Sequence, residues 1–155
     1  MTALTLVAVL GAALNAGVFF AFSAFVMPAL DRLPPGGATA AMQSINVTAV
    51  RPAFMTVLFG TAALCLVLVV RAALHLGDRP SPWLLAGGAL FLLGVIAVTI
   101  AANVPRNDAL AALDPGAAGT AQDWVAYVRE WSRWNHVRTV AGALAAGAFA
   151  MALTR

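Results

Sequence analysis

The stretch WSRWNHVRTV, residues 131–140, brings together side chains that could bind and polarise a flat, oxygen-bearing molecule. His136 is a candidate general base, and the guanidinium of Arg138 can hold an anion. Asn135 can donate and accept hydrogen bonds at once, and the two tryptophans offer flat faces for stacking. The stretch directly precedes the last hydrophobic segment, so an interfacial anchor is the alternative interpretation.

The spacing around this stretch indicates that part of it faces protein. Intervals of 7, 4, 3 and 4 residues place one set of side chains on a single stripe of a helix. The stripe comprises Trp124, Trp131, Asn135, Arg138 and Gly142. An anchor has no need to align its polar groups with a glycine and with the small alanines that follow. We therefore predict that Asn135 and Arg138 point inward, whereas Arg133 does not.

Other polar side chains lie in or beside segments that are otherwise apolar. A polar group at membrane depth must find a partner, so each is a candidate for a site. Asn15 and Ser23 share a face of the first hydrophobic segment. The others are expected at the same end of the helices as Asn135, and they are Gln43, Asn46, Arg51, Asn103 and Asn107. Helix–helix hydrogen bonds, helix caps and loop exposure are the alternative explanations. Together these residues predict a polar pocket with aromatic walls, which suits a flat, polarisable ligand.

The composition places the chain among membrane proteins. Of its 155 residues, 62% are hydrophobic and 10% are charged, whereas soluble domains carry about a quarter charged residues. The net charge of +3 comes from scattered arginines without a block of like charge, so no nucleic-acid partner is expected. Cys65 is the one cysteine, and no Cys or His spacing indicates a metal site.

Four apolar segments predict an all-α, four-helix transmembrane bundle that forms one membrane domain, residues 1–155. The expected spans are at about residues 4–28, 52–71, 83–104 and 135–153. The sequence TAQD at 120–123 fits a capping box with Thr120 as N-cap, so a short amphipathic helix is expected before the fourth span. The first segment lacks the basic region of a cleaved signal peptide, so we expect it to remain as a span.

The arginines give a preference for one membrane orientation. Six of the nine fall at the end with the first and third loops, which favours placing that end inside the cell. Some of them, such as Arg51 and Arg138, are site candidates and not simple loop charges. The orientation therefore stays open.

Four pieces of the chain resemble, in order and spacing, the anthrone oxygenase family of small membrane proteins, also called the DUF1772 family. The pieces are GVFFAFSAFVMPAL (17–30), MQSIN (42–46), NVPRN (103–107) and W-x-x-W-N-H-x-R (131–138). The resemblance implies a four-helix integral membrane fold. For some fungal relatives it also implies oxidation of an anthrone to an anthraquinone with O2.

The resemblance and the residues together suggest a membrane-embedded oxidase or monooxygenase-like protein that acts on an anthrone- or quinol-like aromatic substrate. O2 is the expected co-substrate, without a metal or another cofactor. An anthrone that loses its benzylic proton becomes an electron-rich anion that can reduce O2. The expected catalytic residues are His136 as base, Arg138 as the group that holds the anion, and Asn135 as its orienting partner. The expected substrate-binding residues are Asn15, Ser23, Gln43, Asn46, Arg51, Asn103, Asn107, Trp131 and Trp134.

The competing hypothesis is a protein without catalysis, which binds a quinone or a lipid or serves as a helper subunit of a membrane complex. In either case the expected partners are a hydrophobic aromatic small molecule and the lipid bilayer. The sequence leaves homo-oligomerisation open. The expected location is a bacterial plasma membrane that the chain crosses several times. Consumption of O2 that depends on added anthrone would separate the two hypotheses.

Overall fold

The computed structural model describes residues 2–155, and within that range the regular elements are helices. The five helices are α1 (Thr2–Leu30), α2 (Pro35–Ala49), α3 (Pro52–Leu74), α4 (Ser81–Ala111) and α5 (Thr120–Leu153). All but α2 are long and apolar enough to cross a membrane. The all-α prediction with four spanning helices is therefore confirmed.

Three helices begin with a proline in their first turn, and one proline lies inside α1. Pro35, Pro52 and Pro82 lie in the first turns of α2, α3 and α4, where a missing N–H costs no helical hydrogen bond. Pro28 lies inside α1, directly after a π-helical turn at Phe22–Val26. The wider π turn accommodates the proline, and α1 continues to Leu30 before the chain turns.

The four long helices pack in a ring in which α1 and α4 each contact both α3 and α5. Small residues allow the close approach. A Cβ added at Gly142 of α5 would lie 3.1 Å from the Cβ of Ala16 in α1. A Cβ added at Gly94 of α4 would collide with Ala141 of α5. These contacts bring the backbones of α1, α4 and α5 near one another, as is common for packed membrane helices.

Two apolar cores follow one another along the molecule. The larger core lies among α1, α3, α4 and the end of α5, with Phe91, Phe149 and Leu68 fully buried. The smaller core lies at the opposite end and includes Met42 of α2 and Trp131 of α5. Helix α2 therefore covers the smaller core, and Asn135 and Arg138 lie on α5 between the residues of the two cores.

The amphipathic segment before the fourth span is continuous with that span. Helix α5 runs for 34 residues, or about 51 Å at 1.5 Å per residue. The N-cap is Gly119, with φ of 103°, and not Thr120. The Thr120 hydroxyl instead donates to the carbonyl oxygens of Asp114 and Ala117 at 3.0 and 2.8 Å. The short helix of the fold is α2, between the first two spans.

Candidate functional site

Arg138 lies at the centre of the polar cluster, on α5 between the two cores. Its side chain is buried, with 5% of the residue exposed. The guanidinium Nη2 donates to Asn135 Oδ1 at 2.8 Å, and Nη1 donates to Thr99 Oγ1 at 3.3 Å. The guanidinium carbon lies 4.3 Å from the ring centroid of Phe19 and 5.3 Å from that of Trp131. Aromatic faces stabilise a cation at these distances.

No carboxylate balances this charge within residues 2–155, where the ion pairs are Arg106 with Glu130 and Arg129 with Glu130. Arginine remains protonated in proteins. A buried charge is normally paired, because removal from water is costly. Arg138 is thus a buried cation whose hydrogen-bond partners are neutral.

Asn135 connects Arg138 to α1. Its Nδ2 donates to the carbonyl oxygen of Phe19 at 2.7 Å and to Ser23 Oγ at 2.8 Å. Its Oδ1 accepts the hydrogen bond from Arg138. The residue is fully buried. The inward direction predicted from the stripe is therefore confirmed for Asn135 and Arg138, whereas Arg133 is exposed.

The partners on α1 and α4 lie in π-helical turns. Ser23 belongs to the turn Phe22–Val26, and Thr99 and Asn103 bound the turn Thr99–Asn103. Asn103 Nδ2 donates to the carbonyl oxygen of Trp131 at 3.3 Å. Such turns are rare and often occur at functional sites, where they redirect side chains. Here they direct polar groups from two helices toward one stripe of α5.

A row of aromatic rings continues from Arg138 along α5. The ring centroids of Trp131 and Tyr127 are 6.2 Å apart, and those of Tyr127 and Trp124 are 5.8 Å apart. Asn107 Oδ1 accepts from Trp131 Nε1 at 2.8 Å and from the Tyr127 hydroxyl at 3.0 Å. Trp124 Nε1 donates to Asp31 Oδ1 at 3.0 Å. The polar edges are thereby fixed, and the ring faces form one wall.

Several buried polar atoms of the candidate site residues have no hydrogen-bond partner among residues 2–155. They are Asn15 Oδ1, Asn103 Oδ1 and Arg138 Nε. Asn46 of α2 is half-buried, and its amide interacts with the Tyr127 side chain. Asn15 Nδ2 donates to the carbonyl oxygen of Gly11 at 2.8 Å, so its amide is satisfied only in part. An unpaired buried donor or acceptor costs about 1–3 kcal/mol, so each of these atoms can gain energy from a polar ligand.

The structure does not bring every predicted residue into the cluster. His136 is exposed, because it lies about 100° around α5 from Asn135. Arg51 is exposed between α2 and α3, and Trp134 is half-buried without a ring contact in the described range. Gln43 donates to the carbonyl oxygens of Leu110 and Leu113 at 2.9 and 3.0 Å, so it ties α2 to the end of α4. The geometry gives no support for His136 as a base acting beside Arg138.

Two residues of the cluster were not predicted. Tyr127 lies on the predicted stripe, three residues after Trp124 and four before Trp131, so helical spacing alone could have predicted its position. Thr99 lies four residues before Asn103, and its hydroxyl donates to the carbonyl oxygen of Val95 at 2.7 Å while it accepts from Arg138. A threonine in an apolar span usually forms such a backbone bond, so the sequence does not indicate that this hydroxyl also accepts from Arg138.

A cavity of about 320 Å³ borders the aromatic row. Leu110, Leu113, Ala126 and the ring of Tyr127 contribute to its lining. Across it, Arg106 of α4 pairs with Glu130 of α5 at 3.5 Å. Within residues 2–155, no three His, Cys, Asp or Glu side chains lie together as metal ligands would. The absence of a metal from the chemistry stays a prediction.

Comparison with known proteins places the chain in a family. A family described as anthrone oxygenase matches residues 53–148, well over half of the chain. The match includes the motifs around Asn103 and Asn135, whereas α1 lies outside it. No curated protein and no solved structure matches the chain. Four apolar helices and this match indicate an integral membrane protein. The chain therefore belongs to the anthrone oxygenase family.

Proposed function

We propose that the chain is an O2-dependent oxygenase or oxidase that acts on a hydrophobic aromatic substrate of the anthrone or quinol type. The observation that carries the proposal is Arg138, a buried guanidinium between two aromatic rings, whose hydrogen-bond partners in the described range are neutral. Membership of the anthrone oxygenase family supports the same class of reaction. An anionic aromatic molecule would neutralise the guanidinium and could stack on the aromatic rings beside it.

The guanidinium would act on the step that generates the anion. An anthrone loses a benzylic proton, and the negative charge moves to its carbonyl oxygen. A fixed cation in a site shielded from water stabilises such an oxyanion far more than solvent does. Asn135 keeps the guanidinium in place through α1, so the charge needs no reorganisation during the reaction. Because His136 lies on the outer face, the proton passes in this proposal to a water molecule that enters with the substrate.

The remaining steps need no oxidant other than O2. The anion gives one electron to O2, and the resulting radical and superoxide combine into a peroxide at the former C–H carbon. After protonation, loss of water cleaves the O–O bond and the second C–H bond, which leaves a carbonyl group. An anthrone and O2 thus give an anthraquinone and water. A quinol would instead give a quinone and hydrogen peroxide.

In this proposal, the substrate enters through the cavity beside Tyr127. Its volume of about 320 Å³ lies at the lower end of the range for small-molecule pockets. The Tyr127 hydroxyl and Trp131 Nε1 share Asn107 as acceptor, and the Trp131 ring covers Arg138. In the proposal, a planar substrate binds first against Tyr127 and reaches Arg138 when the rings of Tyr127 and Trp131 move aside together.

The proposal is tested by O2 consumption of the purified protein in detergent, with 1,8-dihydroxyanthrone as substrate. Arg138→Gln removes the charge, and we expect it to reduce the catalysed rate by about 100-fold or more, the usual loss when a group that stabilises an oxyanion is removed. Arg133→Gln removes an exposed charge from the same helix and should keep the wild-type rate. Anthraquinone binding, followed by quenching of tryptophan fluorescence, gives an independent readout.

Two outcomes would contradict the proposal. Equal O2 consumption by the wild type and Arg138→Gln would show that the guanidinium takes no part. Quinone binding to the wild type without any anthrone-dependent O2 consumption would instead identify a non-catalytic quinone-binding protein. Thermal unfolding of both variants shows that a lost rate is not lost folding.

A further inference from the structure

A second cavity lies at the other end of the bundle, where α1 and α4 begin and α3 and α5 end. Its volume is about 230 Å³. The polar side chains that matter here are Arg71, His75, Asp78, Ser81 and Arg155. None of them belongs to the Arg138 cluster, and the proposed oxygenase chemistry does not use them.

Two guanidinium groups of this cavity form no ion pair. Arg71 and Arg155 line the cavity together, and Asp78 is its one acidic side chain. In the described part of the chain, neither arginine forms an ion pair with any carboxylate. The cavity therefore offers two guanidinium groups to an anion that enters it.

Hydrogen bonds hold the rim of the cavity in place. The Ser81 hydroxyl donates to the carbonyl oxygen of His75 at 2.6 Å. The His75 Nδ1 lies 2.9 Å from the carbonyl oxygen of Arg71, so this nitrogen carries the proton and donates. The first bond connects the end of α3 to the first turn of α4, and the second fixes His75 on the last turn of α3. The guanidinium of Arg71 thus extends from a fixed backbone.

The location suits a lipid headgroup. The cavity lies at the ends of four helices that are each apolar enough to cross a membrane, which is the level at which lipid phosphates lie. Long arginine side chains at helix ends reach this level readily. Leu84, Ala72 and Ala152 line the inner part of the cavity and are buried. A phosphate group would therefore meet the arginines while its apolar tail stays at the bundle surface.

We infer that this cavity binds the phosphate group of an anionic molecule between Arg71 and Arg155. An anionic phospholipid and free phosphate share this chemistry, and the experiment separates them. The inference is independent of the proposed oxygenase function, because it uses the opposite end of the molecule.

The test is native mass spectrometry of the purified full chain in neutral detergent. The probes are phosphatidylglycerol, diacylglycerol without a phosphate, and inorganic phosphate as competitor. We expect Arg71→Gln and Arg155→Gln each to weaken phosphatidylglycerol binding roughly tenfold, as expected for one lost charged hydrogen bond. Arg79→Gln is the matched control, because Arg79 is exposed in the same turn and does not line the cavity.

Each result has one meaning. Binding that is weakened in Arg71→Gln but kept in Arg79→Gln supports the site. Phosphatidylglycerol that stays bound in excess inorganic phosphate then assigns the ligand as the phospholipid, and its displacement shows that the site recognises the phosphate group alone. Equal binding by Arg71→Gln and Arg79→Gln, or equal binding of diacylglycerol, overturns the inference. Arg71 is exposed, so its variant should fold, and thermal unfolding checks this.

Discussion

Asn135 uses its whole amide to hold the cluster together. Both hydrogens of Nδ2 are donated to α1, at the carbonyl oxygen of Phe19 and at Ser23, and Oδ1 accepts from Arg138. A carboxylate at this position would neutralise the guanidinium, whereas the amide leaves its charge available. The choice of asparagine therefore keeps Arg138 positioned and unneutralised.

Removal of this amide should destabilise the protein. In Asn135→Ala, the Phe19 carbonyl oxygen and one N–H of Arg138 lose their partners in a buried region. We expect the free energy of unfolding to fall by about 2 kcal/mol, within the range for buried groups left unsatisfied. Thermal and denaturant unfolding in detergent measure this change.

Arg133→Ala is the control for that prediction, because Arg133 is exposed two residues away on the same helix. Its effect should stay within about 0.5 kcal/mol, as for most surface substitutions. A larger loss in Arg133→Ala than in Asn135→Ala would show that the cluster does not stabilise α5 against α1.

The same residues show what spacing alone can predict. Helical periodicity fixes the angle of a residue around its own helix, so the stripe through Trp131, Asn135 and Arg138 was predictable. Periodicity does not identify the neighbouring helix or its register, so Thr99 was not. The imidazole of His136 suits a catalytic base, but the position of His136 around the axis of α5 separates it from Asn135. Where chemistry and angle disagreed, the angle gave the correct location.

At the scale of helices, the π turns explain why the contacts between helices could not be predicted from the sequence. Each π turn adds a residue to one turn and rotates the next turns of the chain relative to a regular helix. The turns Phe22–Val26 and Thr99–Asn103 thereby bring Ser23 and Thr99 to α5. The apolar runs that predict a span are insensitive to such a rotation. The spanning helices were therefore predictable, whereas their contacts were not.

The close packing of α1 on α5 gives a second prediction. Gly142 lies four residues after Arg138, and an added Cβ would be 3.1 Å from that of Ala16. Gly142→Leu should force the two helices apart and cost about 1–3 kcal/mol of stability, as overpacking does. It should also reduce anthrone-dependent O2 consumption, because the bonds from Asn135 to α1 would lengthen.

Gly147 provides the matched control on the same helix. It is exposed, and nothing lies within 4 Å of a Cβ added there. Gly147→Leu should therefore unfold at the wild-type temperature or slightly above it, since leucine favours a helix more than glycine does. Equal destabilisation by the two substitutions would rule out the α1–α5 contact as the cause.

At the scale of the molecule, four spans fix which loops share a side of the membrane. The turn with Gly77 and the residue Thr154 lie at one end, and the loop with Ala118 lies at the other. The single cysteine, Cys65, is fully buried and should not react in the folded protein. The chain without an added cysteine should therefore give no labelling signal of its own.

Labelling of single cysteines tests this arrangement in intact cells. Gly77→Cys and Thr154→Cys should react with a membrane-impermeant maleimide from the same side. Ala118→Cys should react from the opposite side. Reaction of Gly77→Cys and Ala118→Cys from one side would contradict four spans. The same data give the orientation, which the arginine count only favoured.

The unneutralised charge of Arg138 has a consequence for the resting protein as a whole. The free energy of unfolding should rise when an anion binds the guanidinium, because the anion binds the folded state alone. A ligand at 100 times its Kd adds about 2.7 kcal/mol in this way. Melting temperature then becomes a scale on which candidate substrates can be ranked, with ionised phenols and enols above neutral quinones of the same shape.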